Sequence, residues 1–368
     1  MTMIHLKNVT KRYGDVVALQ GMTLEIHSGE YITILGPTGS GKTTTLRLIA
    51  GLTQPDSGDI LFDKRSILKK PPEEREVGYV FQNFVLFPHL NTWNNVAFGG
   101  EVKGWSGEKT SSNTRKMLEL VRLHERADAF PVELSGGMQQ RVALARALAS
   151  GAKILLLDEP IGALDARLRM SLRYELRRLV KDLGLTAIHV THDQEEAMAI
   201  SDRIVILRRG VVQQVGFPMD LYTHPRSIFV ANFIGEATFL AGTIKERDDV
   251  GSSIELRGGG IVRVSDLTHR IGDLVTVGIR PELANLTRGE KETENALFGL
   301  VERRTFVGRF VYYSVRLDNG EIFLVKRRPE TAPQVIDTKL RVTVSFSPDD
   351  AFVFAHPKEG LMAALEVD

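Results

Sequence analysis

The densest chemical signal in this 368-residue chain is Gly36-Pro37-Thr38-Gly39-Ser40-Gly41-Lys42-Thr43. This run has the spacing of a phosphate-binding loop, follows the apolar stretch Tyr31-Ile32-Thr33-Ile34-Leu35, and opens a helical pattern at Thr44-Thr45-Leu46. Glycines let successive backbone N–H groups face an anion, and the positive end of the following helix adds to the attraction. In such a loop Lys42 reaches the β- and γ-phosphates of a nucleotide, and the Thr43 hydroxyl ligates Mg²⁺. Further along, Ile154-Leu155-Leu156-Leu157-Asp158-Glu159-Pro160 places two acids where a buried strand emerges and a proline stops it. Asp158 is expected to hold Mg²⁺ through water. Glu159 is expected to act on the water that attacks the γ-phosphate, as general base or as its orienting acceptor.

Leu134-Ser135-Gly136-Gly137-Met138-Gln139-Gln140-Arg141 precedes the helical run Val142-Ala143-Leu144-Ala145-Arg146-Ala147-Leu148-Ala149, which makes Ser135 a natural N-cap with glycine N–H groups beside it. That is a second anion-binding helix start in a chain that already grips its nucleotide with the first. A head-to-tail pair of copies accounts for the surplus: each ATP bridges one copy's phosphate loop and the other's Ser135 turn, which gives two equivalent sites.

The elements that must position these residues alternate short β-branched runs with longer helical patterns up to about residue 235, the pattern of an α/β domain with a largely parallel sheet. Ile154–Leu157, Ala187–Val190 and Arg203–Leu207 are nearly all apolar, as strands buried on both faces should be. Arg208-Arg209-Gly210 reads as a turn into Val211–Val215. From about Thr238 the helical period vanishes and short strands follow one another between Gly, Asp and Pro clusters, which predicts an all-β region. Asp318-Asn319-Gly320 is a hairpin signal there. The region also reads as a duplication. Gly242-Thr243-Ile244 is echoed by Gly299-Leu300-Val301, and the run from Leu274 to Glu282 by that from Leu340 to Asp349.

Taken together, these motifs resemble those of the ATPase subunits of ABC transporters. Gly36–Thr43 is similar to their Walker A motif, Leu134–Gln139 to the signature, and Ile154–Glu159 to Walker B. Tyr13 resembles the aromatic that stacks on adenine, Gln82 the Q-loop glutamine that senses Mg²⁺ and the attacking water, Asp165 the D-loop aspartate at the dimer seam, and His192 the switch histidine on the γ-phosphate. The resemblance implies ATP held by Tyr13, Gly36 through Thr44 and Gln82. It implies a second copy contributing Ser135, Gly136, Gly137 and Gln139 in trans, Mg²⁺ at Thr43, Gln82 and Asp158, and catalysis by Glu159 and His192. Met138 stands where the signature most often has glutamine, and Gly162 where the D-loop often has serine. Asp193 and Glu196 have the spacing of a capping box that would pin the turn presenting His192.

By the same resemblance the chain is an α/β P-loop ABC ATPase domain over 1–235 with a helical subdomain inserted at about 88–152. An all-β, OB-like TOBE-type domain, a β-barrel, is expected to follow over 236–368. The apolar segment Phe84–Leu90 would help line the groove that receives a permease's coupling helix. Val277-Gly278-Ile279-Arg280-Pro281-Glu282 resembles the tail of importer ATPases for polyamines, ferric iron, phosphonates and sugars, with spermidine or putrescine the first expectation. The implied partners are a second copy, integral-membrane permease subunits and, indirectly, an extracytoplasmic binding protein.

Composition narrows the classes. A net charge of +1, with small opposite charges on the two halves, makes no nucleic-acid surface and argues against a soluble ABC switch on DNA or ribosomes. The absence of cysteine removes disulfides, Cys-ligated metals and thiol catalysis. No run approaches the ~20 apolar residues of a membrane span, and the start lacks a signal-peptide core, so the expectation is a peripheral protein at the cytoplasmic face of the membrane.

Overall fold

In the computed structural model residues 2–161, 166–329 and 336–366 are described; Asp165 lies outside them. The chain divides into compact units at 1–219 and 220–367. The first unit begins with β1 (Ile4–Tyr13), β2 (Val16–Ile26), β3 (Tyr31–Leu35), α1 (Lys42–Ala50), β4 (Ser57–Phe62), β5 (Arg65–Ser66) and β6 (Val77–Val80). Three helices follow, α2 (Thr92–Val102), α3 (Gly107–Leu120) and α4 (Gly136–Ala149). The unit continues through β7 (Ile154–Asp158), α5 (Ala166–Asp182), β8 (Thr186–Thr191), α6 (Gln194–Ile200), β9 (Arg203–Arg208) and β10 (Val211–Gly216).

A six-stranded sheet has the order β10-β9-β3-β8-β7-β6, parallel except where β10 hairpins onto β9 at the Arg208–Gly210 turn. Strands β3, β7 and β8 are buried at every residue because side chains alternate between two covered faces. Ile154, Leu156, Ile188 and Val190 enter a core shared with α1 and the antiparallel sheet β2-β1-β4-β5. Leu155, Leu157 and Ala187 enter a second core with residues of α2, α3, α4 and α5. Parallel pairing has a direct consequence for function: the C-terminal ends of β3, β6, β7 and β8, which lead to Lys42, Gln82, Glu159 and His192, all face one edge.

α7 (Pro218–Thr223) crosses from the first unit into the second, which continues with α8 (Ile228–Ile234). Its strands are β11 (Thr238–Arg247), β12 (Ser252–Leu256), β13 (Ile261–Val264), β14 (Leu274–Ile279), β15 (Asn285–Arg288), β16 (Leu297–Val307), β17 (Phe310–Leu317), β18 (Ile322–Arg327), β19 (Arg341–Ser345) and β20 (Ala351–Ala355). A short helix, α9 (Leu361–Leu365), is an addition to the all-β reading.

The strands form two five-stranded sheets, β13-β12-β11-β14-β20 and β18-β17-β16-β19-β15, around one core rather than a single closed sheet. The orders match element for element, as a duplication requires, except that each half gives its fifth strand to the other. β15 follows β14 yet pairs with β19, and β20 follows β19 yet pairs with β14. The echoed glycines occupy equivalent places. A Cβ on Gly242 would sit 2.7 Å from the Glu255 carbonyl, and one on Gly299 2.4 Å from that of Arg316.

The unit boundary falls before the change in composition near 235 because Arg280, 1% exposed, gathers the preceding helices. Its guanidinium donates to the carbonyls of Ala231 and Gly235 at 2.7 Å, and of Glu236 and Tyr222 at 3.1 Å, and lies 4.4 Å from the centre of the Tyr222 ring. Burial pulls its pKa down to about 10.

Candidate active site

The phosphate loop joins β3 to α1 with Gly41 at the helix N-cap, φ 104°. A side chain is excluded at two of its glycines: a Cβ on Gly36 would lie 2.2 Å from the Leu207 carbonyl, and one on Gly41 2.4 Å from that of Ala18. Gly210, in the β9–β10 turn, supports the loop by donating its N–H to the Ser40 carbonyl at 3.0 Å. Lys42 is 6% exposed, with Nζ on the carbonyls of Gly36 (2.8 Å) and Pro37 (2.7 Å). Burial holds its pKa below the usual lysine range against the opposite pull of Glu159 and Asp158.

Thr43 donates its hydroxyl to Asp158 Oδ1 at 2.9 Å, so two of the three residues expected at Mg²⁺, the third being Gln82, meet beside Lys42. The other carboxylate oxygen of Asp158 accepts from Tyr79 Oη at 2.9 Å, and burial together with that carboxylate pushes the Tyr79 pKa above its usual range. Tyr79 escaped the sequence reading; its signal was only a polar tip in an otherwise small strand.

Glu159 follows β7 with φ 45°, a left-handed backbone that is uncommon for a residue with a side chain. Its carboxylate is held from both sides. Gln82 Nε2 donates to Oε2 at 3.1 Å, and His192 Nδ1 lies 3.1 Å from Oε1, a contact that requires the proton on Nδ1. Glu159, Gln82 and His192 are 77 and 33 positions apart in sequence, and the parallel sheet makes them one cluster.

The turn carrying His192 is pinned differently from the capping-box expectation. Asp193 Oδ1 does accept from the Glu196 N–H at 2.9 Å, but the Glu196 carboxylate does not reach back to the cap. It accepts from Thr191 Oγ1 at 2.7 Å, and Thr191 Oγ1 in turn accepts from the Asp193 N–H at 3.0 Å. Burial decides this: Glu196 is 2% exposed and turned inward, where the Thr191 hydroxyl supplies a donor. Behind it His189, fully buried, holds Tyr31 Oη at 2.9 Å through Nδ1 and has Nε2 3.4 Å from Glu196 Oε1. His189 appeared in the sequence only as one residue of an apolar run.

Tyr13 ends β1 and is 47% exposed, with Lys11 Nζ 5.3 Å from the centre of its ring. Ser135 caps α4, accepting from the Met138 N–H at 3.4 Å, with Gly136 exposed and Gly137 buried. Gln139 spends its amide N–H groups on the carbonyls of Pro131 (2.8 Å) and Leu134 (3.3 Å), which shapes the approach to Ser135. In the apolar segment after Gln82, Phe84 is buried while Val85 is 55% exposed, and Phe81 and Phe98 are also exposed.

The ABC transporter family profile matches residues 19–162, and the TOBE domain profile residues 277–354. The spermidine/putrescine import ATP-binding protein of Thermotoga maritima is 40% identical over 359 residues, covering 95% of this chain and 97% of the relative. This chain belongs to the ABC transporter family. Its ATP-binding cassette carries a TOBE domain, and it is an ABC-type ATPase. Another relative of this ABC ATPase is the Fe(3+) ions import ATP-binding protein of Brucella abortus, 40% identical over 88% of the chain and 90% of the relative. Among solved structures, a dimeric ATP-binding cassette in a post-hydrolysis state bound to ADP and Pi is 35% identical. It superposes with a TM-score of 0.53, covering 58% of the ABC ATPase and 98% of that chain.

Proposed function

We propose that this chain is the ATP-hydrolysing motor of an importer, in which two copies close head to tail over two ATP molecules and thereby switch a separate integral-membrane permease. The observation that carries the reading is the Glu159 carboxylate gripped by Gln82 and His192 beside Lys42, Thr43 and Asp158.

In that reading Gly36 through Thr44 cradle the triphosphate, Tyr13 stacks on the adenine, and Lys42 neutralises the β- and γ-phosphates. Gln82 and His192 fix the Glu159 carboxylate so that one oxygen faces the attacking water, accepting or orienting its proton as the γ-phosphate leaves ADP. Ser135, Gly136 and Gly137 present N–H groups to the γ-phosphate bound by the other copy; Gln139 shapes their approach, and Asp165 belongs to the seam. Thr43, Asp158 and Gln82 suit Mg²⁺. Among the described residues no three His, Cys, Asp or Glu side chains cluster as a metal cage. When bound, Mg²⁺ neutralises charge on the phosphates.

Among the described residues no helix is long and apolar enough to cross a membrane. We place the protein on the cytoplasmic face, held by permease coupling helices in a groove that the segment Phe84–Leu90 helps to line, with residues 1–235 as motor and 236–368 as accessory domain. An extracytoplasmic binding protein would deliver the substrate, which we take to be a polyamine because several relatives carry that name, with ferric iron the alternative.

Glu159→Gln should lower ATP hydrolysis at least ~100-fold while ATP still binds and dimers accumulate; an unchanged rate rejects the catalytic assignment. Uptake of labelled spermidine and of ferric iron, compared in cells with and without Glu159→Gln, separates the two substrates.

A further inference from the structure

The segment after Gln82 has an unusual backbone. Phe84 and Val85 are successive non-glycine residues in the left-handed region, φ 58° and 44°, a conformation that is sterically disfavoured and worse for a β-branched side chain. Local bonds close the turn, Phe84 N–H to the Phe81 carbonyl at 2.9 Å and Val85 N–H to that of Asn83 at 2.6 Å. What holds it from outside is Arg146 on α4. One arm of the guanidinium donates to the Val85 carbonyl at 2.9 Å, the other to the Phe84 carbonyl at 3.2 Å, and its carbon lies 5.2 Å from the centre of the Phe87 ring. Among the described residues no carboxylate pairs with Arg146. The two carbonyls and the ring are its described partners, and burial pulls its pKa below the usual arginine range.

Arg146 therefore joins two parts of the machinery. α4 starts at the Ser135 cap and runs unbroken to Ala149, so the backbone of Arg146 stands about 16 Å along the same rod from Ser135. At its other contact it sets the chain direction immediately after Gln82. We propose that Arg146 is a positioning residue for ATP hydrolysis: it holds Phe84 and Val85 left-handed, seats Gln82 against Glu159, and ties that contact to the helix that Ser135 caps. The proposal rests on the hydrolysis reading above. It means that a copy whose Ser135 turn has engaged its partner's ATP also adjusts the Gln82–Glu159 pair of its own site. A lysine could not replace the fork, because a single ammonium on a flexible stem does not fix two adjacent carbonyls in one plane.

The test is steady-state ATP hydrolysis by the full-length chain carrying Arg146→Met or Arg146→Lys, each with and without Val85→Gly. Arg146→Met should lower kcat at least tenfold with KM for ATP within twofold, and Arg146→Lys should retain more of the rate. Val85→Gly should restore at least threefold to either variant, because glycine adopts the left-handed backbone without a side-chain penalty. Loss of a merely structural contact would not be repaired by a glycine at a 55% exposed position. A kcat within twofold of the parent in Arg146→Met, or a loss that Val85→Gly leaves untouched, overturns the proposal. Should Arg146→Met not fold, the same glycine rescue read on Arg146→Lys decides it. Glu159→Gln is measured alongside. If it abolishes hydrolysis while Arg146→Met does not, the proposal alone falls; if it leaves hydrolysis unchanged, the reading beneath falls with it.

Discussion

The phosphate loop and the loop carrying Gln82 leave the same edge of one sheet, and both need backbone that ordinary residues avoid. The first obtains it with glycine: Gly39 and Gly41 have φ of 80° and 104°, and Gly36 and Gly41 sit where a Cβ would strike a neighbouring carbonyl. The second does without glycine and is held by Arg146. A glycine loop carries its conformation in its own sequence. A clamped loop depends on the helix that clamps it, so the first suits a fixed phosphate cradle and the second a part whose position reports on another element.

The largest expected effect tests the steric half of this contrast. Gly41→Ala should cut ATP affinity more than ~100-fold in a calorimetric titration, since strain and a backbone collision combine. Gly39→Ala, where a Cβ meets open space, should lose only the left-handed penalty of about 1–2 kcal/mol, roughly tenfold. Equal losses would break the distinction.

The arginine half is tested next at Arg75, where the two devices meet. Its guanidinium caps the C-terminal carbonyls of α1 at Leu48 (2.9 Å) and Ile49 (3.0 Å), in space that a Cβ on Gly51 would fill at 2.6 Å. Arg75→Ala should destabilise the first unit by about 3 kcal/mol, because buried carbonyls lose their donor. Trp93 and Trp105 both lie in that unit, so their fluorescence during urea unfolding measures it.

A smaller effect separates the exposed His192 from the buried His189. Burial lowers the folded pKa of His189 below its unfolded value of about 6.5. The unfolded chain therefore binds more protons below that pH, and stability, complete above about 6.5, should decline as pH falls, with a slope of up to ~1.4 kcal/mol per unit. His189→Phe should flatten the slope between pH 5 and 7; an unchanged slope assigns it elsewhere. Smallest of all, Val85→Gly in the otherwise unaltered chain should raise stability by about 0.5 kcal/mol, the released strain slightly exceeding the entropy that glycine adds to the unfolded state.

What was legible in the sequence follows the same division. Gly36–Thr43, the Asp158–Glu159 pair and Ser135 with its glycines are local patterns whose spacing is visible in the sequence. The duplicated strands were visible too, because Gly242 and Gly299 are each demanded by a close backbone approach. Arg75, Arg146 and Arg280 were not, although the first and last are buried and all three donate to backbone carbonyls. Their partners are carbonyls brought near by tertiary packing, and a carbonyl has no letter in the sequence. For the same reason the compact units part at 219, ahead of the composition change near 235. The Glu196 side chain, read as closing a local box, instead answers to the buried Thr191.

The exchanged fifth strands of the C-terminal unit also set an order of events during synthesis. Ile279 in β14 pairs with Ala351 in β20, so the first sheet of that unit cannot close until the strand that begins at residue 351 has left the ribosome. The cassette can be finished while its companion still waits with an open strand edge. A chain truncated by premature termination between residues 279 and 351 would expose that edge, and would be marked for aggregation or proteolysis.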